Sequence, residues 1–343
     1  MNWKNCRVLV TGGASFIGSH LVDALVRRGA TVRVIDDLSS GLLKNIANHV
    51  RTKAVEFIHK DLREPSVALE AAKGMHIVFH LAAAHGGRGY VDLHQAACAE
   101  NLMLDGLVFD ACRKNRVEKV VYASSGCVYP NHIQNNPDEI LYLTEEMVGP
   151  PYDADNLYGW AKLMGELSLR AFYKDYGLKS VSCRYFTVYG PRGIENHAVI
   201  AMIARAFVKQ NPFVVWGTGK QVRNWTYIDD IVSGTILASE KIHDGTAINL
   251  GTMERVTVLE AVQEVLRYTK HDARIEFHPE MPTGPYNRVA SNGLAKKLLG
   301  WEPSVRFMDG LHKTIDWYFS TKDASLLQSD SLDRLLTERG IQT

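Results

Sequence analysis

The chain reads as an α/β protein, a doubly wound parallel sheet joined to a smaller mixed α/β lobe, on three observations. Short β-branched apolar runs alternate with amphipathic stretches through the first half of the sequence. A glycine-rich segment joins the first such run to the first helix. After Tyr189-Gly-Pro-Arg192 the pattern turns to shorter, mixed elements. Alternating strands and helices build parallel sheets, because a parallel neighbour is reached only through a crossover. The predicted strands are residues 7–11, 31–35, 55–59, 77–81 and 119–124; the predicted helices are 18–28, 67–73, 98–113 and 157–176. Gly29 closes the first helix just after Arg27 and Arg28, where a left-handed glycine cap and dipole-favoured cations belong. Farther on, Thr257-Val-Leu-Glu260 is a capping box that opens a helix. The expected division is 1–185 for the sheet domain, with later segments returning to it, 186–320 for the second lobe, and a polar tail at 321–343 whose one amphipathic stretch is 332–339.

Composition narrows the function classes. The 343 residues are 46% hydrophobic, and 39 basic against 38 acidic side chains leave a formal charge of +1. That balance offers no electrostatic footprint for nucleic acid or an anionic membrane. No apolar run reaches the length of a spanning helix, and the first seven residues are polar, so a cytoplasmic protein without a signal peptide is expected. Five cysteines, odd in number and without C-x-x-C spacing, signal neither a disulfide framework nor a zinc site. No metal is expected.

The glycine-rich segment is Thr11-Gly-Gly-Ala-Ser-Phe-Ile-Gly18, between a strand and a helix. Such a loop turns tightly and brings helix N–H groups against a pyrophosphate, which points to a Rossmann-type dinucleotide site at Gly12, Ser15, Phe16, Ile17 and Gly18. Ser15 stands where the usual pattern has its middle glycine, a replacement expected to loosen the approach to the phosphate. Asp36 ends the second strand; a carboxylate there accepts from ribose hydroxyls and repels a 2′-phosphate, so NAD is expected rather than NADP. Asp61 and Leu62, after the third strand, are placed against the adenine.

Tyr158 and Lys162 are four residues apart and share a helix face, where the ammonium is expected to lower the phenol's pKa and hold the nicotinamide ribose. Ser125, at the end of the preceding strand, would share a substrate hydroxyl with Tyr158, the base for hydride departure. Cys127 adds a soft acid/base beside them.

These motifs, with His80-Leu-Ala-Ala83, Tyr122-Ala-Ser-Ser125, Arg184-Tyr-Phe-Thr-Val-Tyr-Gly-Pro-Arg192 and Arg223-Asn-Trp-Thr-Tyr-Ile-Asp-Asp230, resemble the extended short-chain dehydrogenases/reductases of the nucleotide-sugar epimerase/dehydratase family over roughly residues 5–320. The resemblance implies an NAD-dependent isomerase that oxidises a sugar at carbon 4 and later returns the hydride. It also implies cofactor contacts at Leu81, Ala82, Ala83 and Asn101, a diphosphate clamp of Arg223 and Arg288, and a homodimer built on two long helices. Arginine suits the clamp, since its planar fork matches phosphate oxygens. Thr187 departs from the asparagine common in the family, and no role is carried over to it.

Ser125-Gly126-Cys127 lacks the glutamate of sugar 4,6-dehydratases. The segment Ser124 to Pro130 and the loop Ala83-Ala-His-Gly-Gly-Arg-Gly-Tyr90 resemble instead the GDP-mannose 3,5-epimerases, where a cysteine works with a lysine. No lysine occupies the corresponding stretch here. His197 is the substitute, much where GDP-fucose synthase places its histidine, and Glu195 is the weaker candidate. His85, Gly87 and Arg88 are assigned to substrate contact, and His80 to the core. The resulting expectation is proton exchange at carbons 3 and 5 by Cys127 and His197 on a GDP- or UDP-linked sugar. The alternatives are a 4-epimerase in which Cys127 is incidental, a GDP-4-keto-6-deoxysugar epimerase/reductase, and a non-enzymatic NAD-sensing protein.

Overall fold

The computed structural model describes residues 2–136 and 138–323, together with Leu332, Thr337 and Glu338. The stretch 332–339 therefore lies largely outside the described residues. In chain order the first part comprises β1 (Arg7–Thr11), α1 (Phe16–Arg27), β2 (Thr31–Asp36), α2 (Ala47–Arg51), β3 (Val55–His59), α3 (Val67–Ala72), β4 (Ile77–His80), α4 (Arg88–Leu93), α5 (Gln95–Ala99), α6 (Asn101–Lys114), β5 (Lys119–Ser125), α7 (Asn156–Tyr176) and β6 (Lys179–Tyr185). The second part holds β7 (Val188–Tyr189), α8 (Ala198–Phe207), β8 (Phe213–Trp216), β9 (Val222–Arg223), β10 (Thr226–Tyr227), α9 (Ile228–Lys241), β11 (Asp244–Leu250), β12 (Val256–Thr257), α10 (Val258–Tyr268), β13 (Ile275–His278), β14 (Asn287–Arg288), α11 (Gly293–Leu299) and α12 (Phe307–Thr321).

Seven parallel strands form the main sheet in the order β11-β6-β5-β4-β1-β2-β3. Both faces are buried, which is why the strands read as continuous apolar runs rather than alternating ones. Val8, Val10, Val32 and Val34 pack with Leu21 and Leu25 of α1 and Ile231 of α9. On the other face Leu9, Ile35, Val78 and Val120 pack with Ala68, Val108 and Leu169 of α3, α6 and α7. Strand order reverses between β1 and β4, and such a switch point opens a crevice at the carboxyl ends of the strands. Thr11, Asp36, His80 and Ser125 all end their strands there.

The predicted strands match closely, and Gly29 adopts φ +82° at the end of α1, as its cap requires. One predicted helix is divided: 98–113 breaks near Glu100 into α5 and α6, and the loop after β4 winds into α4. After Tyr189, α9 packs against the main sheet and β11 joins it, where Ile248 pairs with Cys183 and Leu250 with Tyr185. The rest builds the second lobe from α8, α10 and α12 with the small sheets β12-β9-β14 and β13-β8. Thr257 and Glu260 form the expected capping box at the start of α10.

The helix α7 is fixed by a buried ion pair. Glu166 accepts from Arg184 Nε at 2.9 Å and from Arg184 Nη2 at 2.8 Å, while Ser124 Oγ donates to it at 2.5 Å. Removing one partner alone would strand a buried charge at about 3–5 kcal/mol. Tyr158, Lys162 and Glu166 lie at successive turns of this helix, so the latch sets the height of the first two. No helix among the described residues is long and apolar enough to cross a membrane.

Candidate active site

At the switch point Gly12 takes φ +68°, and a Cβ there would sit 2.9 Å from the Ala82 nitrogen. A Cβ on Gly18 would fall 2.1 Å from the Gly12 carbonyl oxygen. The loop after β1 thus approaches the segment after β4, and the start of α1 approaches that loop, more closely than any side chain permits, the close-packed strand-loop-helix turn that a pyrophosphate site requires. Ser15 is the N-cap of α1 at φ −78°, ordinary extended backbone, and its Oγ donates to the Gly12 oxygen at 2.5 Å. The serine side chain therefore closes the turn on itself.

Asp36 is buried, and its carboxylate accepts from Ala14 N and Leu38 N, both at 2.9 Å. It therefore ties the glycine loop to the turn after β2 at the place a ribose-reading carboxylate requires. Asn101 is buried with both ends of its amide on the backbone of Ala84, at 2.7 and 3.0 Å. It shapes the segment after Leu81-Ala82-Ala83 from behind. Leu62 packs in the core, and Asp61 is held by Arg63 at 2.7 Å. These two do not line the main cleft, nor do Gly12, Gly18, Asp36, Ala82 and Asn101, whereas Ser15, Phe16, Ile17, Leu81 and Ala83 do. Among the described residues no group of three or more histidine, cysteine or acidic side chains could hold a metal.

Farther along the same cleft Ser125, Cys127, Tyr158 and Lys162 come together. Cys127 N donates to Ser125 Oγ at 3.1 Å. The lysine Nζ lies 5.9 Å from the Tyr158 ring centre and 4.6 Å from that of Tyr122. Burial raises the Tyr158 phenol well above its usual range, the neighbouring Cys127 adds to that rise, and a hydrogen bond with Ser125 opposes it. Burial likewise lowers Lys162, against the pull of Asp105. The phenol is thus raised, chiefly by desolvation, where the sequence predicts a lowering by Lys162.

Close backbone contact explains the geometry. A Cβ on Gly159 would meet the Cys127 carbonyl oxygen at 2.3 Å, and that oxygen accepts from Asp155 N at 2.9 Å. The glycine following Tyr158 is what lets α7 dock on the turn bearing Cys127.

Beyond Cys127 stands an arginine cluster. Arg288 donates from Nη1 to Cys127 Sγ at 3.2 Å, from Nη2 to Asp155 at 2.9 Å and from Nε to Gln134 at 3.0 Å. Arg88 donates to the same Asp155 oxygen at 2.8 Å and to Asp92 at 2.7 Å. Despite its burial, Asp155 is held below the usual carboxylate range by Arg288 and Arg88. Arg223 is pushed down by burial and by the charges of those same two arginines. Three guanidiniums around one shared carboxylate favour an anionic ligand. Asp155 was missed in the sequence. It precedes the Tyr158 helix as an N-cap residue, and only the fold reveals its partners.

The glycine-rich loop closes the other wall. A Cβ on Gly87 would sit 1.7 Å from the Asn196 carbonyl oxygen, so this loop and the 194–197 segment form one close-packed contact. His197 begins α8 with its ring 5.5 Å from that of His85 and 6.4 Å from Phe16, and the His85 ring is 6.5 Å from Tyr158. Both histidines line the cleft. Glu195 does not: it is buried, accepts from Tyr318 OH at 2.9 Å and pairs with Lys322 at 2.8 Å. It anchors α12, which removes it as the second acid. Thr187 lines the cleft at φ +20°, an uncommon angle for a β-branched residue.

Comparison with known proteins places this geometry. Residues 8–251 match the family model described as the NAD dependent epimerase/dehydratase family. The chain is 31% identical over 319 residues to GDP-mannose 3,5-epimerase 1 of Oryza sativa subsp. japonica, covering 92% of this chain and 82% of that one. It is 32% identical to an uncharacterized UDP-glucose epimerase of Bacillus subtilis, covering 92% and 98%. Among solved structures it is similar to UDP-glucuronic acid 4-epimerase from Bacillus cereus in complex with UDP-glucuronic acid and NAD, with TM-score 0.81, 28% identity and coverage of 92% and 100%. The UDP-glucose 4-epimerase of Thermotoga maritima with UDP-glucose gives TM-score 0.81 and 28% identity over 92% and 99%.

Proposed function

Since this chain belongs to the NAD dependent epimerase/dehydratase family and is an NAD-dependent nucleotide-sugar enzyme, we propose that it is an epimerase exchanging protons at carbons 3 and 5 of its sugar. Gly12, Ser15, Gly18 and Asp36 would hold the adenosine diphosphate half of NAD and Lys162 the nicotinamide ribose, and the bound nicotinamide would supply a reversible hydride acceptor at carbon 4. Tyr158, with Ser125, takes the hydroxyl proton at carbon 4 as that bond is oxidised. The resulting ketone acidifies the neighbouring C–H bonds. Cys127 then removes a proton and His197, on a different wall of the cleft, supplies one. Arg88, Arg223 and Arg288 bind the anionic part of the substrate.

The hydrogen bond from Arg288 to Cys127 Sγ carries this reading. A guanidinium aimed at the sulfur places a cationic hydrogen-bond donor on Cys127 in the cleft, and an inert core thiol needs no such donor. The competing reading is 4-epimerisation with an incidental cysteine, supported by the likeness to two solved 4-epimerases. Incubating the protein with GDP- and UDP-linked hexoses and uronic acids in deuterium oxide, with NMR readout, tests both. Label at carbon 3 or 5 supports the proposal; epimer without label supports the alternative.

The exposed apolar side chains Leu102, Met103 and Leu107 on α6 and Leu157, Trp160 and Met164 on α7 form one unpartnered face on two packed helices. We assign this face to a second copy of the chain, giving a homodimer.

A further inference from the structure

Beneath the reacting centre lies a buried polar chain that the mechanism above does not use. Thr11 Oγ1 accepts from Leu81 N and from Ala82 N, both at 3.1 Å, which fills its two lone pairs. Its own hydrogen must therefore go to His80 Nδ1, at 2.7 Å. That leaves His80 with its hydrogen on Nε2, donated to Asp105 Oδ1 at 2.9 Å. Tyr122 OH donates to the other oxygen, Asp105 Oδ2, at 2.5 Å. Asp105 thus accepts on both oxygens, as an ionised carboxylate does. His80, Asp105 and Tyr122 are all buried, on β4, α6 and β5. On the face of the Tyr122 ring sits Lys162 Nζ, 4.6 Å from its centre.

We propose that Asp105 is a positioning residue for hydride transfer, the buried counter-charge that keeps Lys162 protonated and seated on Tyr122. The proposal deepens the site reading and rests on Lys162 acting as an ammonium. A phenol that donates to a carboxylate has a more electron-rich ring, and a desolvated ammonium is attracted to such a face. The groups around Lys162 leave Asp105 little competition. On its own helix Tyr158 precedes it by one turn, its phenol raised by burial. Glu166 follows by one turn, but its carboxylate is committed to Arg184 and Ser124. From β5 comes Tyr122, raised by burial and by Asp105 and so kept protonated. From β4 comes His80, already directed at Asp105. Burial pushes Lys162 down, and among the described residues Asp105 is the charge that pulls it back.

The sign follows directly. A lysine serves as an ammonium below its pKa and loses that role as pH rises through it, so removing Asp105 brings the loss to lower pH. In Asp105→Asn, which keeps volume and hydrogen-bonding capacity, the alkaline limb of the rate profile is expected to move down by about one pH unit or more, the effect of a nearby opposite charge. The second readout needs no turnover: NAD affinity by calorimetry should match the parent at neutral pH and fall away earlier on the alkaline side. An unchanged alkaline midpoint in both measurements, even with a uniformly lower rate, would make Asp105 a structural residue and overturn the proposal. Asp105→Ser, which removes the charge in a smaller volume, is measured in the same way if the asparagine variant does not fold. If no sugar nucleotide turns over, the activity assignment fails, while the calorimetric titration still decides for or against Asp105.

Discussion

Gly159→Ala separates geometry from fold. The new Cβ would lie 2.3 Å from the Cys127 carbonyl oxygen, where ordinary contact begins near 3.4 Å, and the obstacle is backbone that cannot swing away. Either α7 or the Ser125–Cys127 turn must move by about 1 Å, and a misplacement of that size costs roughly 100-fold in rate. Stability moves much less. Alanine gains about 1 kcal/mol over glycine inside a helix, overpacking costs about 1–3 kcal/mol, and the difference shifts the melting temperature by a few degrees in a chain of this size. The assay is kcat on the sugar nucleotide that the NMR screen identifies, beside a melting curve and bound NAD measured after denaturation. A folded, NAD-retaining protein with kcat down by about two orders of magnitude is the expected outcome. Near-parental kcat would refute the claim that this contact sets Tyr158 against Ser125.

Asp36→Ala should narrow the preference for NAD over NADP, checked by titrating both cofactors; equal binding of the two by the parent would contradict the role given to this carboxylate. Tyr158→Phe should lower kcat by on the order of 100-fold while NAD stays bound, because general-base catalysis supplies about that much. Met164→Glu places a charge in the exposed α6–α7 face and should convert a dimer into a monomer in sedimentation; a parent that sediments as a monomer would remove that assignment.

Much of this was legible in the sequence because local spacing carries it. The glycine loop follows a strand and opens a helix, Tyr158 and Lys162 are one turn apart, and the strands are apolar throughout since both sheet faces are covered. What escaped depends on pairs far apart in the chain. Arg288 reaches Cys127 across 161 positions and Asp155 across 133. Glu195 looked available until Tyr318, 123 residues on, was seen to hold it. That later segments return to the sheet is expected without their being named; that β11 pairs with β6 after α9 has crossed is not encoded in local periodicity.

The central claim is that Cys127 moves a proton on the sugar. Parent and Cys127→Ala proteins, each with bound NAD, should be incubated with the active nucleotide sugar in deuterium oxide, and carbons 3 and 5 read by NMR while bound NAD is followed by absorbance. The account predicts deuterium at one or both carbons with the parent. With Cys127→Ala it predicts no label at the carbon this residue serves, while transient reduction of NAD persists. Epimerised product without solvent deuterium, together with a Cys127→Ala protein that keeps most of its activity, would contradict it and leave a 4-epimerase working through Ser125, Tyr158 and Lys162.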